Sequence, residues 1–483
     1  VHRLLRRLGV YRREHVSVAR DFSIYSAVNI VSLVLLLGTG LVLRRYLGLT
    51  LAGIWTGLEV LPTYAAYAHF GVLNAAEREL PFLLGARRDA DFERLKHTLL
   101  WLSHALGALL AAGLVIAALL LRDRVERPFF IGLLVYAPLM WTQMLATYYV
   151  LLFRARQRFV DLSASQGIAN LLKALLTVAG GYTFGLYGIF AGLLIASAIQ
   201  VTLYRRRLRE RFERRFDAAL VRPLFVDGLP ILLGAVAFET VRNSDRIVIG
   251  AALGFEALGV YSVTQLVCQG VYYLPNALST VMYPRFQERF GRTGDVQSLR
   301  RFVELPLHVL GDLLLAATIL LLLALPPAIR AWFPAFVGTI PPLRVMLVGT
   351  YFLCLAPPAI QLLLTVHKQV PSLYIALPTA ALTVLAAYIG AGHGLIGVAF
   401  GVATGCVIEF AAINVYAFSV FADGDTAFRE LGMIVVVAVV CVGLVYLAGF
   451  AAAVLVLPLL WRAARRIRAL QAPEPVDNAS AGH

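Results

Sequence analysis

Apolar runs of roughly 18 to 28 residues follow one another from near residue 22 to residue 461, each long enough to cross the hydrocarbon core of a bilayer as a helix. Recurring through a chain of 483 residues, that feature leaves few folds open. Peptide groups in lipid must be satisfied inside a helix or a closed barrel. Barrel strands alternate polar and apolar residues, and these runs do not. The expected fold is therefore an all-α polytopic membrane protein. Only 15% of residues are charged, against about 25% in soluble proteins. The first run follows a basic stretch but lacks a small-residue cleavage site, so it reads as a retained helix and not a signal peptide.

The runs predict about fourteen transmembrane helices. Residues 1–21 are a basic N-terminal segment, expected in the cytoplasm. Spans one to six fall in 22–204, a basic linker in 205–222, and spans seven to twelve in 223–418. A helix pair is expected in 431–461, breaking between 443 and 449, and a tail over 462–483, disordered from about 471. With both termini inside, 33 Lys/Arg lie on the inner side and six on the outer, the latter including Arg44 and Arg45. That bias follows the positive-inside pattern.

The chain contains a repeat. Leu47, Gly48, Gly53 and Trp55 recur as Leu253, Gly254, Gly259 and Tyr261 at an offset of 206. Gly185, Gly188 and Gly192 recur as Gly394, Gly397 and Gly401 at 209, and Gln157-Arg158 as His367-Lys368 at 210. Six spans separate equivalent points, so the halves are expected as parallel six-helix lobes related by a pseudo-twofold along the membrane normal, with a site between them.

One span departs from apolarity. On a helix over 230–251, Glu239, Arg242 and Arg246 fall within about 60° of one another, and Asp245 widens the arc to about 120°. Ionisable residues cost about 2.5–3.5 kcal/mol each at a bilayer centre and so face a bundle interior or a watery cavity. Two readings follow: a self-neutralised set, Glu239 with Arg242 and Asp245 with Arg246, or a cationic site tuned by acids. Lys173 stands near the middle of span five, and Glu59, Asp312 and Glu409 are isolated acids in spans two, nine and twelve.

The net charge of +15 is distributed in short loops beside spans, a topogenic pattern and not a nucleic-acid footprint. Cys268, Cys354, Cys406 and Cys441 lie in apolar runs without metal-ligand spacing, and no metal or cofactor is expected. There is no phosphate-binding loop, metal-ligand helix or nucleophile elbow, which argues against an enzyme.

Arg45-Tyr46-Leu47-Gly48 with Gly53 and Trp55, Asp245-Arg246 leading to Gly250 and 257–261, Leu274-Pro275, Pro284-Arg285, and 154–158 leading to 184–188 together resemble the polysaccharide-flippase branch of the multidrug/oligosaccharidyl-lipid/polysaccharide (MOP) exporter superfamily. The resemblance covers about 20–420 and implies alternating-access flipping of a polyprenyl-diphosphate-linked oligosaccharide across a bacterial plasma membrane. Arg242, Arg246 and Lys173 are then the expected diphosphate contacts, because a lipid diphosphate favours multi-donor cationic partners. Glu59, Glu239, Asp245, Asp312 and Glu409 are the expected cavity or ion-coupling acids. Expected partners are membrane lipids, the lipid-linked glycan, H+ or Na+, and polysaccharide assembly enzymes. Two alternatives stay open: a cation-coupled multidrug antiporter of the same superfamily, and a membrane glycan polymerase or ligase.

Overall fold

The computed structural model describes residues 2–210, 213, 216–421 and 424–471. The tail from 472 lies outside the described residues, as do the side chains of the basic segment 1–21, of Leu274 and of 276–285. The described chain is helical, with no strand. In order the helices are α1 (His2–Leu58), α2 (Val60–Ala65), α3 (Val72–Gly85), α4 (Asp89–Leu121), α5 (Arg127–Ala155), α6 (Phe159–Leu208), α7 (Ala218–Ala252) and α8 (Gly254–Thr293). Then follow α9 (Arg300–Trp332), α10 (Ile340–Leu353), α11 (Pro357–Thr365), α12 (Gln369–Gly390), α13 (Gly394–Ser419), α14 (Gly424–Ala448) and α15 (Val456–Gln471). Eight helical stretches in the described residues are long and apolar enough to cross a membrane, and the protein is a multi-pass membrane protein.

Glycine and proline divide these helices. α1 breaks at Gly48 (φ 72°) and α6 at Gly185 (φ 60°), backbone that glycine adopts without a Cβ penalty. Pro62 cannot donate to the Leu58 carbonyl, and the helix is interrupted there between α1 and α2. The Pro357-Pro358 pair likewise separates α10 from α11. The expected break in 443–449 falls at Gly449 (φ 54°).

The repeat is present in the backbone. Gly48 and Gly254 are both left-handed, as are Gly185 and Gly394, and Gln157 and His367 share φ values of 55° and 56°. Gly180 and Gly188 approach so closely that a Cβ on either would run into the other's backbone, and Gly390 and Gly397 do the same. Such small-residue crossings let membrane helices pack at backbone distance.

Each half has its own apolar core. Two clusters draw mainly on residues 43–224, and two others on 237–459. The halves meet where α1 lies along α8 and α3 crosses α7. At the end carrying the Gly48 and Gly254 turns the contact is reciprocal: Gly53 sits against the Phe255 carbonyl, and Gly259 against the Leu49 carbonyl. Gly71 meets the backbone of Gly228 in the α3–α7 contact.

Candidate functional site

Arg44, counted with the connection after the first span, lies within the helix instead. α1 stays helical for a full turn beyond it, so the guanidinium is carried into the seam between the halves, where it is 2% exposed. Its Nε donates to Ser262 Oγ of α8 at 2.9 Å, Nη1 to the Gly40 carbonyl at 3.1 Å and Nη2 to Thr56 Oγ1 at 3.4 Å. Both hydroxyls spend their own protons on backbone carbonyls, Gly259 for Ser262 and Ala52 for Thr56, which leaves oxygen lone pairs for the arginine. The guanidinium carbon stands 5.1 Å from the Trp55 ring centroid, and Nη2 lies 3.9 Å from Glu59 Oε2. Arg45, the next residue, is exposed.

Arg44, Trp55 and Glu59 line a cavity of about 300 Å3 together with Asn170 and Lys173 of α6 and Gln269 of α8. Lys173 makes no ion pair among the described residues. Two cations and one carboxylate on this wall leave it net positive. The face of α1 turned to the cavity carries Ser32, Leu36, Gly40 and Arg44 at four-residue intervals, one side of a helix.

The charges of α7 separate into two groups. Arg242 pairs with Glu239 at 2.8 Å and lies 4.7 Å from the Tyr272 ring centroid, so that half of the self-neutralised reading is present. Asp245 and Arg246 do not pair through their side chains. Asp245 accepts the Arg246 backbone N–H at 2.7 Å and the Tyr261 hydroxyl at 2.8 Å. The Arg246 guanidinium instead binds Asn243 Oδ1. The Gln265 amide, oriented to satisfy its neighbours, accepts from Arg246 Nη2 at 2.9 Å and Nε at 3.1 Å and donates to Asp245 Oδ2 at 3.2 Å. Adjacent positions on a helix point about 100° apart, which is why a neutral bridge from α8 is needed between them. Arg246 thus stands behind Gln265, while Arg242 and Gln265 line a small pocket separate from the main cavity, with Gln269 in the wall of both.

Glu239 and Glu409 border a third cavity, of about 260 Å3, in the C-terminal half. Glu409 is 1% exposed, and its Oε2 has no hydrogen-bond partner. Asp312 is elsewhere: it pairs with Arg466 at 2.7 Å and Arg462 at 3.2 Å, fastening α15 to α9. The structure therefore places Glu59 and Lys173 on the main cavity and Arg242 on the adjoining pocket, sets Asp245 and Arg246 just behind, puts Glu239 and Glu409 on the third cavity and leaves Asp312 apart. The residues that sequence reasoning missed are Arg44, Ser262 and Gln265. For Arg44 the one available signal was a cation less than two turns from Gly40, on the side of α1 where a small residue allows close approach.

This arrangement, two helical halves around a polar seam, is the fold of MOP-superfamily transporters. The chain superposes on an inward-facing multidrug resistance MATE family transporter with a TM-score of 0.65 at 14% identity, covering 84% of this chain and 99% of that one. An outward-facing MATE transporter matches with a TM-score of 0.62 at 16% identity, over 83% and 95% of the two chains. A MOP transporter from Pyrococcus furiosus, whose binding pocket is described as having reversed polarity, matches with 0.63 at 15% identity, over 85% and 96%. Residues 83–333, more than half of the chain, match the family described as "Polysaccharide biosynthesis protein", and the chain belongs to that family of the MOP superfamily. Its family and fold are those of membrane transporters. No curated protein matches it.

Proposed function

We propose that the protein flips a polyprenyl-diphosphate-linked oligosaccharide across the bacterial plasma membrane, with both termini in the cytoplasm. The observation that carries this reading is the net positive wall of the seam cavity, where Arg44 and Lys173 from different helices face one space with only Glu59 opposing them. A diphosphate bears about two negative charges and gains most from charge-assisted hydrogen bonds in a site shielded from water. Arg44 and Lys173 take the headgroup, Arg242 receives it from the adjoining pocket, and Arg246 holds Gln265 in place behind them. The seam is closed at the Gly48/Gly254 end, which in this topology is the outer one, so the cavity serves the inner leaflet. Glu409, buried with an unpartnered oxygen, is the acid we assign to coupling by H+ or Na+.

The test is a titration of undecaprenyl diphosphate into the detergent-purified full-length protein. Arg44→Ala and Lys173→Ala, matched to wild type in folded yield, each weaken binding about ten-fold or more, the equivalent of one charge-assisted contact of about 1.4 kcal/mol or more. Unchanged affinity in both variants removes the headgroup assignment.

A further inference from the structure

A further cavity adjoins the one that holds Arg44 and Lys173, and its walls have a different chemistry. It measures about 280 Å3 and lies within the N-terminal half, between α3, α5 and α6. Gln166 and Gln200 line both it and the cavity holding Arg44 and Lys173, so the two spaces share a wall. Its charged residues cancel: Arg154 Nη1 pairs with Glu77 Oε1 at 2.7 Å. The buried His69 accepts the Gly71 N–H on Nδ1 at 3.1 Å, which places the ring proton on Nε2.

The remaining polarity is mostly carboxamide. Asn74, Gln143, Gln166 and Gln200 all face this space. Gln200 donates to the Tyr204 hydroxyl at 2.9 Å. The side-chain amides of Asn74, Gln143 and Gln166 have no hydrogen-bond partner among the described residues, and each residue is half-buried. Three carboxamides from three different helices therefore present free donors and acceptors to one vestibule whose charges are paired.

We propose that this vestibule binds the uncharged sugar residues of the substrate while the diphosphate rests at Arg44 and Lys173, a deepening that rests on the headgroup reading above. A carboxamide carries a donor and an acceptor in one plane, and a sugar hydroxyl is both, so each amide serves a hydroxyl or an acetamido group whichever way it turns. Hydrogen bonds of this kind discriminate strongly, because a ligand lacking the group leaves the amide desolvated and unpaired. Among the described residues a uronic acid entering the same space meets no unpaired cation, and a carboxylate taken from water without a partner is costly. The two adjoining cavities, about 280 and 300 Å3, match the lower end of small-ligand sites, roughly 300–1,000 Å3 each. Gln166 and Gln200 stand at the junction, where the sugar bonded to the diphosphate would lie.

The experiment compares three probes on the full-length protein in lipid nanodiscs: undecaprenyl diphosphate, its conjugate with a neutral N-acetylhexosamine trisaccharide, and its conjugate with a hexuronic acid trisaccharide. Wild type is expected to bind the neutral conjugate about ten-fold or more tighter than either other probe. Asn74→Leu/Gln143→Leu, at positions that line only the vestibule, brings the neutral conjugate to within about two-fold of undecaprenyl diphosphate and leaves undecaprenyl diphosphate itself unchanged. Asn74→Ala, a milder change, shifts the neutral conjugate in the same direction and covers a double variant that fails to fold. Wild type that binds undecaprenyl diphosphate but does not prefer the neutral conjugate overturns the vestibule assignment alone. So do variants that leave the preference intact or weaken all three probes equally. Wild type that does not bind undecaprenyl diphosphate overturns the headgroup reading and the vestibule with it.

Discussion

Gly53→Ala is the smallest change that should move the whole molecule. A Cβ at position 53 runs into the Phe255 carbonyl across the seam, and the obstruction is backbone, which cannot rotate aside. The reciprocal contact, Gly259 on the Leu49 carbonyl, ties the same two segments, so relief requires the halves to part at this end. Overpacking of a close contact costs about 1–3 kcal/mol, and a bias of that size shifts a two-state equilibrium about 5- to 150-fold. Gly57, one turn along α1, is the control, because a Cβ there makes an ordinary 3.4 Å contact with Leu258. Spin labels at Arg124→Cys and Trp332→Cys, exposed positions at the same end of the two halves, report the separation by pulsed electron resonance. The four native cysteines are buried and should stay unlabelled. Gly53→Ala should enrich longer distances, and Gly57→Ala should match wild type. A Gly53→Ala distribution identical to wild type would refute the claim that this contact holds the closed end shut.

The other predictions concern parts that act separately. Asp312→Asn removes the carboxylate that binds Arg462 and Arg466. Losing those charge-assisted contacts costs about 1.5–3 kcal/mol, and trypsin should cut within α15 faster than in wild type; unchanged cleavage rates would show that the pairing does not hold the helix. Gly188→Val and Gly397→Val each obstruct a glycine–glycine crossing, and both should lower folded yield, whereas Gly113, with open space around it, should accept valine silently. Equal yields for all three would refute the packing argument. Glu409→Gln should abolish any dependence of transport on a proton or sodium gradient while leaving headgroup affinity intact; retained gradient dependence would move the coupling role elsewhere.

Much of the fold was legible because it is local. The length of the apolar runs determines helices, and Gly48 sits where its freedom of φ allows the turn between spans, whereas Pro62 and Pro357, lacking an N–H, interrupt runs that apolarity alone reads as continuous. The repeat was legible because its glycines are required by backbone approach, as at Gly180/Gly188 and Gly390/Gly397. The site was legible only in part. Arg242 and Glu239 are one helical turn apart and pair as their spacing implies. Arg44 was misplaced because an arginine four residues before a glycine turn reads as a loop residue, while what holds it in the seam is Ser262, 218 positions away. Gln265 was invisible for the same reason: a neutral residue in an apolar run becomes significant only when α8 sets it between Asp245 and Arg246. Asp312 looked like a cavity acid because its partners lie some 150 residues downstream.

The central claim is that the cationic seam moves a lipid diphosphate across the bilayer. Its most direct test is flipping of a fluorescent undecaprenyl-diphosphate-linked saccharide in proteoliposomes, followed by quenching from outside, for wild type, Arg44→Ala and Lys173→Ala at equal reconstituted amounts. The account predicts flipping by wild type and a fall of about ten-fold or more in both variants. Wild type that flips none of the saccharides but drives efflux of organic cations, or variants that flip at the wild-type rate, would contradict it.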